Sequence, residues 1–74
     1  MITLDKAWSG DIVNVVDTIG DNSFRCRLME MGLVPGTKVN VIMRLEGLIL
    51  IEVRGGKITL RNEDAKNVRV TLEA

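Results

Sequence analysis

The sequence predicts a small, mainly β barrel of about five strands, with one short helix between the first and the second strand. The chain has 74 residues, which is short for one domain, so we expect a single domain over residues 1–74. Hydrophobic residues make up 46 % and charged residues 27 %, which is typical of a globular chain. Several short apolar runs are separated by turn residues every eight to twelve positions, as in small barrels. Barrel closure would also remove exposed strand edges.

The first strand is predicted over residues 11–16, which are mostly apolar and β-branched and are preceded by the turn signal Ser9-Gly10. Residues 4–10 form a leading segment with no regular structure predicted. Residues 17–22 contain Gly, Asp and Asn close together, which is the composition of a loop.

The helix is predicted over residues 23–31. Phe24, Leu28 and Met31 recur at positions i, i+4 and i+7, so they would share one buried face of this helix. A helix of about nine residues is too short to be stable alone, and we expect packing to hold it.

Both ends of the helix carry recognisable signals. Asn22 or Ser23 is the expected N-cap, because a side-chain oxygen there can accept a backbone N–H. Gly32 is expected to end the helix in the left-handed conformation. Pro35-Gly36 then fits the two central positions of a type II turn.

Four further strands are predicted in the second half of the chain. Alternation places Met43 on the same face of the second strand as Val39 and Val41. It places Leu72 on the same face of the last strand as Val68 and Val70. Gly55-Gly56 are expected to be the centre of a tight hairpin turn. A single helical turn capped by Asn62 is expected before the last strand. These strands are residues 37–44, 48–53, 57–61 and 68–72.

Residue types exclude most chemistry. The chain has one cysteine and no histidine, so it has no imidazole base and no nucleophile–base pair, and we expect no enzyme. Iron(II) sites favour histidine and carboxylates, so we expect no metal site and no cofactor. Ten basic residues balance ten acidic ones, which argues against a general polyanion binder.

The location of the chain is predicted from its apolar segments. The longest apolar run is residues 48–51, whereas a membrane span needs about 20 residues. The first residues have no basic region followed by an apolar stretch, so no signal peptide is expected. We therefore expect a cytoplasmic protein without direct membrane insertion.

Residues 27–36 read RLMEMGLVPG, and this string resembles the helix–turn signature of the FeoA family, ferrous-iron transport protein A. The tail resembles the family as well, in residues 56–61 (GKITLR) and in the Asp-Ala pair that follows at 64–65. The hairpin over residues 44–48 departs from the Pro- and Asp-containing segment that family members often carry. The same string also occurs in the C-terminal SH3-like domains of iron-dependent repressors.

Membership of this family would imply an SH3-like barrel in the cytosol that acts with FeoB, the membrane GTPase transporter of ferrous iron. The resemblance therefore predicts a small accessory protein that binds and modulates that transporter. The alternative is a regulatory or nucleic-acid-binding module, such as a stand-alone relative of the repressor domain. A homo-oligomer is also compatible with so short a chain.

Five residues are the candidates for partner binding. Arg25 and Met29 lie off the predicted buried face of the helix, and arginine and methionine both suit adaptable interfaces. Two leucines lie near the tip of the first hairpin, where apolar side chains have little core to reach. The predicted docking surface combines the outer helix face with this hairpin, and comprises Arg25, Arg27, Met29, Leu45 and Leu48.

Overall fold

A computed structural model of the chain describes residues 1–73. It contains a six-stranded antiparallel sheet in the order β1-β6-β2-β3-β4-β5, which curves into an SH3-like barrel. Helix α1 connects β2 to β3, as predicted, and the short helix α2 connects β5 to β6. The elements are β1 (Ile2–Thr3), β2 (Ile12–Thr18), α1 (Asn22–Glu30), β3 (Lys38–Leu45), β4 (Leu48–Val53), β5 (Gly56–Arg61), α2 (Asn62–Ala65) and β6 (Val68–Leu72).

The mainly β class and the position of the helix are confirmed, and one additional strand appears. Ile2 and Thr3 pair with Val70 and Arg69 at the edge of the sheet. The leading segment then makes a 3-10 turn over Leu4–Lys6. A two-residue strand carries no alternation signal, which is why the sequence did not predict it.

The curved sheet encloses most of the core, and helix α1 packs against it with one buried residue. That residue is Leu28, and Phe24 and Met31 pack partly buried against the same cluster, as predicted. Among residues 1–73, the buried apolar residues are Leu4, Ala7, Val13, Val15, Leu28, Leu33, Val39, Val41, Ile49, Ile51, Val53, Leu60, Ala65, Val68 and Val70.

Gly32 ends helix α1, as predicted, but the N-cap of the helix differs from the prediction. The N-cap is Asp21, whose side chain accepts the Phe24 N–H at 2.9 Å, and neither Asn22 nor Ser23 has this role. Gly32 has φ +94° and ends the helix. Its N–H donates to the Met29 carbonyl, and the next N–H, of Leu33, donates to the Leu28 carbonyl. This paired pattern closes the helix and buries Leu33.

Strand β3 contains a bulge that corrects the predicted facing of its second half. The β3–β4 register shifts between Val41 and Met43, so Ile42 is an extra residue. A bulge of one residue moves the following side chains to the opposite face. Met43 is therefore 46 % exposed rather than buried. Leu72 lies opposite the buried Val13, on the predicted face of β6, but at the end of the strand it is 56 % exposed.

The two turns around β5 also differ from the prediction. Val53 pairs with Gly56, so the central turn residues are Arg54 and Gly55, with φ 53° and 80°. Positive φ at both positions defines a type I′ hairpin turn. In α2, Arg61 is the N-cap residue and Asn62 is the first helical residue, so Asn62 is not the cap.

Replacing Arg54 by asparagine is expected to stabilise the fold by about 0.5–1 kcal/mol, because an ordinary L-residue in this conformation costs about 1–2 kcal/mol and asparagine tolerates it better. The gain is below the full penalty because the Arg54 Cδ atom packs beside Gly32. Urea unfolding of the variant measures the difference, with Gly55→Ala as the destabilised control. A loss of stability in Arg54→Asn would contradict the conformational argument.

Candidate interaction surfaces

An apolar strip covers the outer face of the β3–β4 hairpin. Buried residues alternate along β4, so the side chains at 48 and 50 point outward. Met43 lies opposite Leu50, and Leu45 lies opposite Leu48. Directly opposed residues share a face of a sheet, so these four side chains form one surface, which we call the hairpin strip.

The hairpin strip is unusual for a solvent-facing sheet surface, where polar residues normally alternate with buried ones. Met43 and Leu45 are 46 % and 44 % exposed, and Leu48 and Leu50 are half-buried. The other half of the same face is polar, with the Asn40 amide donating to the Glu52 carboxylate at 3.1 Å. A contiguous exposed apolar surface of this kind is typical of an interaction site.

Trp8 lies near the same hairpin and is 70 % exposed. The Arg44 guanidinium carbon is 5.0 Å from the centroid of its ring, within cation–π distance. The Arg44 backbone N–H also donates to the Ser9 hydroxyl at 3.2 Å. Sequence reasoning did not single out Trp8 or Met43 as surface residues. A lone tryptophan beside Ser-Gly was the available signal for the first, whereas the bulge that exposes Met43 leaves no local signal.

The helical candidates are also exposed. Met29 is 51 % exposed, and Arg25 and Arg27 are on the solvent side of α1. The Arg27 guanidinium carbon is 5.7 Å from the centroid of the Phe24 ring. Arg27 and Phe24 line an open groove of about 670 Å³ between α1 and α2, whose other wall includes Asp64.

The structure does not join the two halves of the predicted docking surface. The carboxyl end of α1 is beside Val53, because a Cβ atom on Gly32 would lie 3.4 Å from Val53 Cγ2. Leu48 is at the other end of the same strand, β4. Five residues of extended strand span about 17 Å. The helical residues and the hairpin residues therefore form two separate surfaces.

One bidentate ion pair connects β2 to β6. Asp17 and Arg69 are directly opposed on β2 and β6, and the Arg69 Nε donates to Asp17 Oδ1 at 2.6 Å, with a second parallel bond from its terminal nitrogen. This hydrogen bonding by Arg69 holds the pKa of Asp17 below its usual range, and the charges of Arg69 and Arg25 act in the same direction. The same pair raises the pKa of Arg69.

Acid is expected to remove the stability that this pair supplies. A carboxyl whose pKa is lower in the folded than in the unfolded chain stabilises the fold above the unfolded value of about 3.9, and this stability is lost as the pH falls through the lower native value. Asp17→Asn should therefore lose less stability than the parent between pH 7 and about pH 2. Urea midpoints across this range, with Arg69→Met as the matched variant, measure the effect. If the urea midpoints of the parent and of Asp17→Asn fall by the same amount over this range, the pair does not contribute to the pH dependence of stability.

No group of three or more His, Cys, Asp or Glu side chains within residues 1–73 is arranged to hold a metal ion. The single cysteine, Cys26, is exposed on α1. Across the same residues, no helix is both long and apolar enough to cross a membrane.

Excess iron(II) is expected to leave the melting temperature of the protein unchanged. A ligand that binds only the native state raises stability by about 2.7 kcal/mol at one hundred times its dissociation constant. An anaerobic thermal melt with and without iron(II) measures this shift, with magnesium as the control cation. An increase of several degrees with iron(II) alone would reveal a site that the described carboxylates do not suggest.

The chain is similar over almost its whole length to a known protein family and to solved structures. The FeoA domain model matches residues 2–72. A crystal structure of an iron uptake regulatory protein (FeoA) is similar, at 30 % identity over 97 % of this chain and 96 % of that chain, with a TM-score of 0.91. FeoA from Stenotrophomonas maltophilia, crystallised with zinc and described as an SH3 domain protein, is 25 % identical over 96 % of this chain and 91 % of that chain, with a TM-score of 0.81.

The fold also occurs within a longer protein. A manganese-dependent transcriptional repressor is 19 % identical over 97 % of this chain and 41 % of that chain, with a TM-score of 0.89. At this identity the likeness shows the fold alone. No curated protein sequence matches the chain.

Proposed function

The chain belongs to the FeoA family, and we propose on that premise that it is a cytosolic accessory protein that binds and modulates a FeoB-type GTPase transporter of ferrous iron. The family is linked to ferrous iron transport and is non-catalytic. In this proposal the chain carries no iron itself. It acts on the cytosolic part of the transporter through protein–protein contacts.

The hairpin strip is the observation that carries this proposal. Burying Met43 and Leu45 against a partner would remove apolar surface from water, which is favourable by about 25 cal/mol for each Å² buried. Leu48 and Leu50, which are half-buried, would complete the apolar contact. Exposed methionine and leucine side chains surrounded by polar residues are the usual composition of a docking patch.

The outer face of α1 is the second proposed contact. Met29 supplies an exposed apolar side chain, and Arg25, one helical turn earlier, supplies positive charge beside it. Arg27 is also exposed and lines the groove between α1 and α2. Because this face and the hairpin strip are separated along the length of β4, a single flat epitope would not cover both. In our proposal they contact different parts of the transporter, or only one of them docks.

The direct experiment is a pull-down of the cytosolic part of the co-occurring FeoB-type transporter with this chain, together with its GTP hydrolysis rate. Specific capture with a changed hydrolysis rate is the expected result. An unrelated small GTPase is the control. Absence of capture under low and physiological salt would contradict the proposal.

The regulatory or nucleic-acid-binding alternative has one supporting observation, the exposed Trp8 ring beside the Arg44 guanidinium. Aromatic rings next to arginine can stack on unpaired bases. Filter binding with single- and double-stranded oligonucleotides at low salt separates the two functions. We expect no retention, because the formal net charge is zero. Retention that is lost in Trp8→Ala would favour the alternative.

A further inference from the structure

Strand β5 ends the six-stranded sheet, and among the described residues it pairs only with β4. The β4–β5 turn determines which residues of β5 form backbone hydrogen bonds with β4. Val53 and Gly56 close a two-residue hairpin, and such a closing pair is hydrogen-bonded. Alternation then makes every second residue of β5 bond to β4. The Asn62 N–H, six positions after Gly56, donates to the Gly47 carbonyl at 3.0 Å, which agrees with this alternation.

The remaining residues of β5 direct their backbone groups away from β4. These are Lys57, Thr59 and Arg61, and all three are exposed. The Arg61 carbonyl is the N-cap acceptor of α2, whereas the Arg61 N–H and the N–H and carbonyl groups of Lys57 and Thr59 have no partner in β4 or in the described turns and loops. A row of such groups at a sheet edge is a template for an added strand.

The side chains of the same three residues lie on the outer face, beside the hairpin strip. Thr59 is opposite Leu50, and Leu50 is opposite Met43. Arg61 is opposite Leu48. An added strand would therefore place its central residue next to Thr59, in line with Leu50 and Met43. An apolar side chain at that position would extend the hairpin strip. On either side of that position it would meet the positive charges of Lys57 and Arg61.

Charge decides which kind of strand fits. Two copies of this chain, paired antiparallel through all three outward residues, would place Lys57 of each copy opposite Arg61 of the other. Like charges that oppose each other directly destabilise a sheet. Lys57 makes no ion pair within residues 1–73, and the Arg61–Asp64 pair is long, at 3.9 Å, and exposed. Both cations are therefore available to carboxylates from another protein.

We propose that the β5 edge binds an extended segment of a partner protein in which two acidic residues, four positions apart, flank a central apolar residue. The carboxylates lie opposite Lys57 and Arg61, and the apolar residue lies opposite Thr59. The backbone of the segment bonds to the N–H and carbonyl groups of Lys57 and Thr59 and to the Arg61 N–H. Any protein with such a segment could supply it, so its binding does not depend on the transporter assignment.

The test uses the whole chain and a capped peptide, Glu-Val-Ile-Val-Glu, with Lys-Val-Ile-Val-Lys as the matched control. The charge pattern of both peptides is the same in parallel and antiparallel orientation. In an NMR titration at low salt we expect the acidic peptide to shift the amides of Lys57, Thr59 and Arg61 and to slow their hydrogen exchange. The basic peptide should bind about tenfold more weakly or worse, because it places like charges opposite both cations.

Two variants separate backbone pairing from charge attraction. Thr59→Pro removes one outward N–H without removing a bond to β4, and should weaken acidic-peptide binding about tenfold, whereas Thr59→Ala should retain it. The double variant Lys57→Glu/Arg61→Glu should prefer the basic peptide. This reversal keeps the proposal testable if Thr59→Pro fails to fold.

Three results would overturn the proposal. They are unshifted β5 amides at saturating acidic peptide, equal affinity for the two peptides, and concentration-dependent dimerisation that shifts the same β5 amides. A transporter pull-down can fail while the peptide binds, and the reverse, so the two proposals fail separately.

Discussion

Gly32→Val is expected to destabilise the protein by about 3 kcal/mol and to lower its melting temperature by at least about 12 °C. Gly32 has φ +94°, a conformation that a β-branched residue strongly resists. A Cβ atom there would also lie 3.3 Å from Arg54 Cδ and 3.4 Å from Val53 Cγ2, so it would crowd the end of β4. A domain of this size has few kcal/mol of stability to lose.

Gly36→Val is the matched control for this experiment. Gly36 has nearly the same conformation, with φ +89°, but no atom lies within 4 Å of the Cβ position. The Gly36→Val variant should therefore lose only the stability that a positive φ costs a residue with a side chain, about 1–2 kcal/mol. Thermal melts of the three proteins compare the effects. Equal losses would show that contact with β4 contributes nothing, and a Gly32→Val melt within a few degrees of the parent would refute the prediction.

Leu45→Asp is expected to weaken binding to the cytosolic part of the FeoB-type transporter by about thirtyfold while leaving the fold intact. Truncations at the centre of an interface commonly cost about 2 kcal/mol or more, and a buried carboxylate adds a desolvation penalty. Leu45 is 44 % exposed at the hairpin tip, so the unbound protein should tolerate the change within about 0.5 kcal/mol.

Met29→Asp tests the helical surface in the same assay. Because the structure separates Met29 from the hairpin strip, the two variants report on different surfaces. Leu72→Asp is the matched control, since Leu72 is an exposed leucine on β6, and strand β2 lies between β6 and β3. Binding by a folded Leu45→Asp variant at the parent affinity would remove the hairpin strip from the proposal. A loss in Leu72→Asp as large as in Leu45→Asp would show that the effect is not specific.

Local sequence determined much of this protein. The spacing of Phe24, Leu28 and Met31 was enough to predict the helix and its buried face, because residues three or four apart interact directly along a helix. Gly32 predicted the helix end for a similar reason, since the left-handed conformation is favourable for glycine whatever surrounds it. Apolar runs bounded by turn residues located every strand longer than two residues, and residues 27–36 carried the family resemblance.

Only the tertiary structure decided which outer surfaces exist. The bulge at Ile42 turns Met43 outward, and it depends on pairing with β4 rather than on residues next to it in sequence. The position of β5 at the sheet edge follows from strand order. Strand order and register are set by contacts between residues far apart in the chain. Local propensities extend over only a few residues, so a single sequence predicted the elements and not the surfaces they assemble.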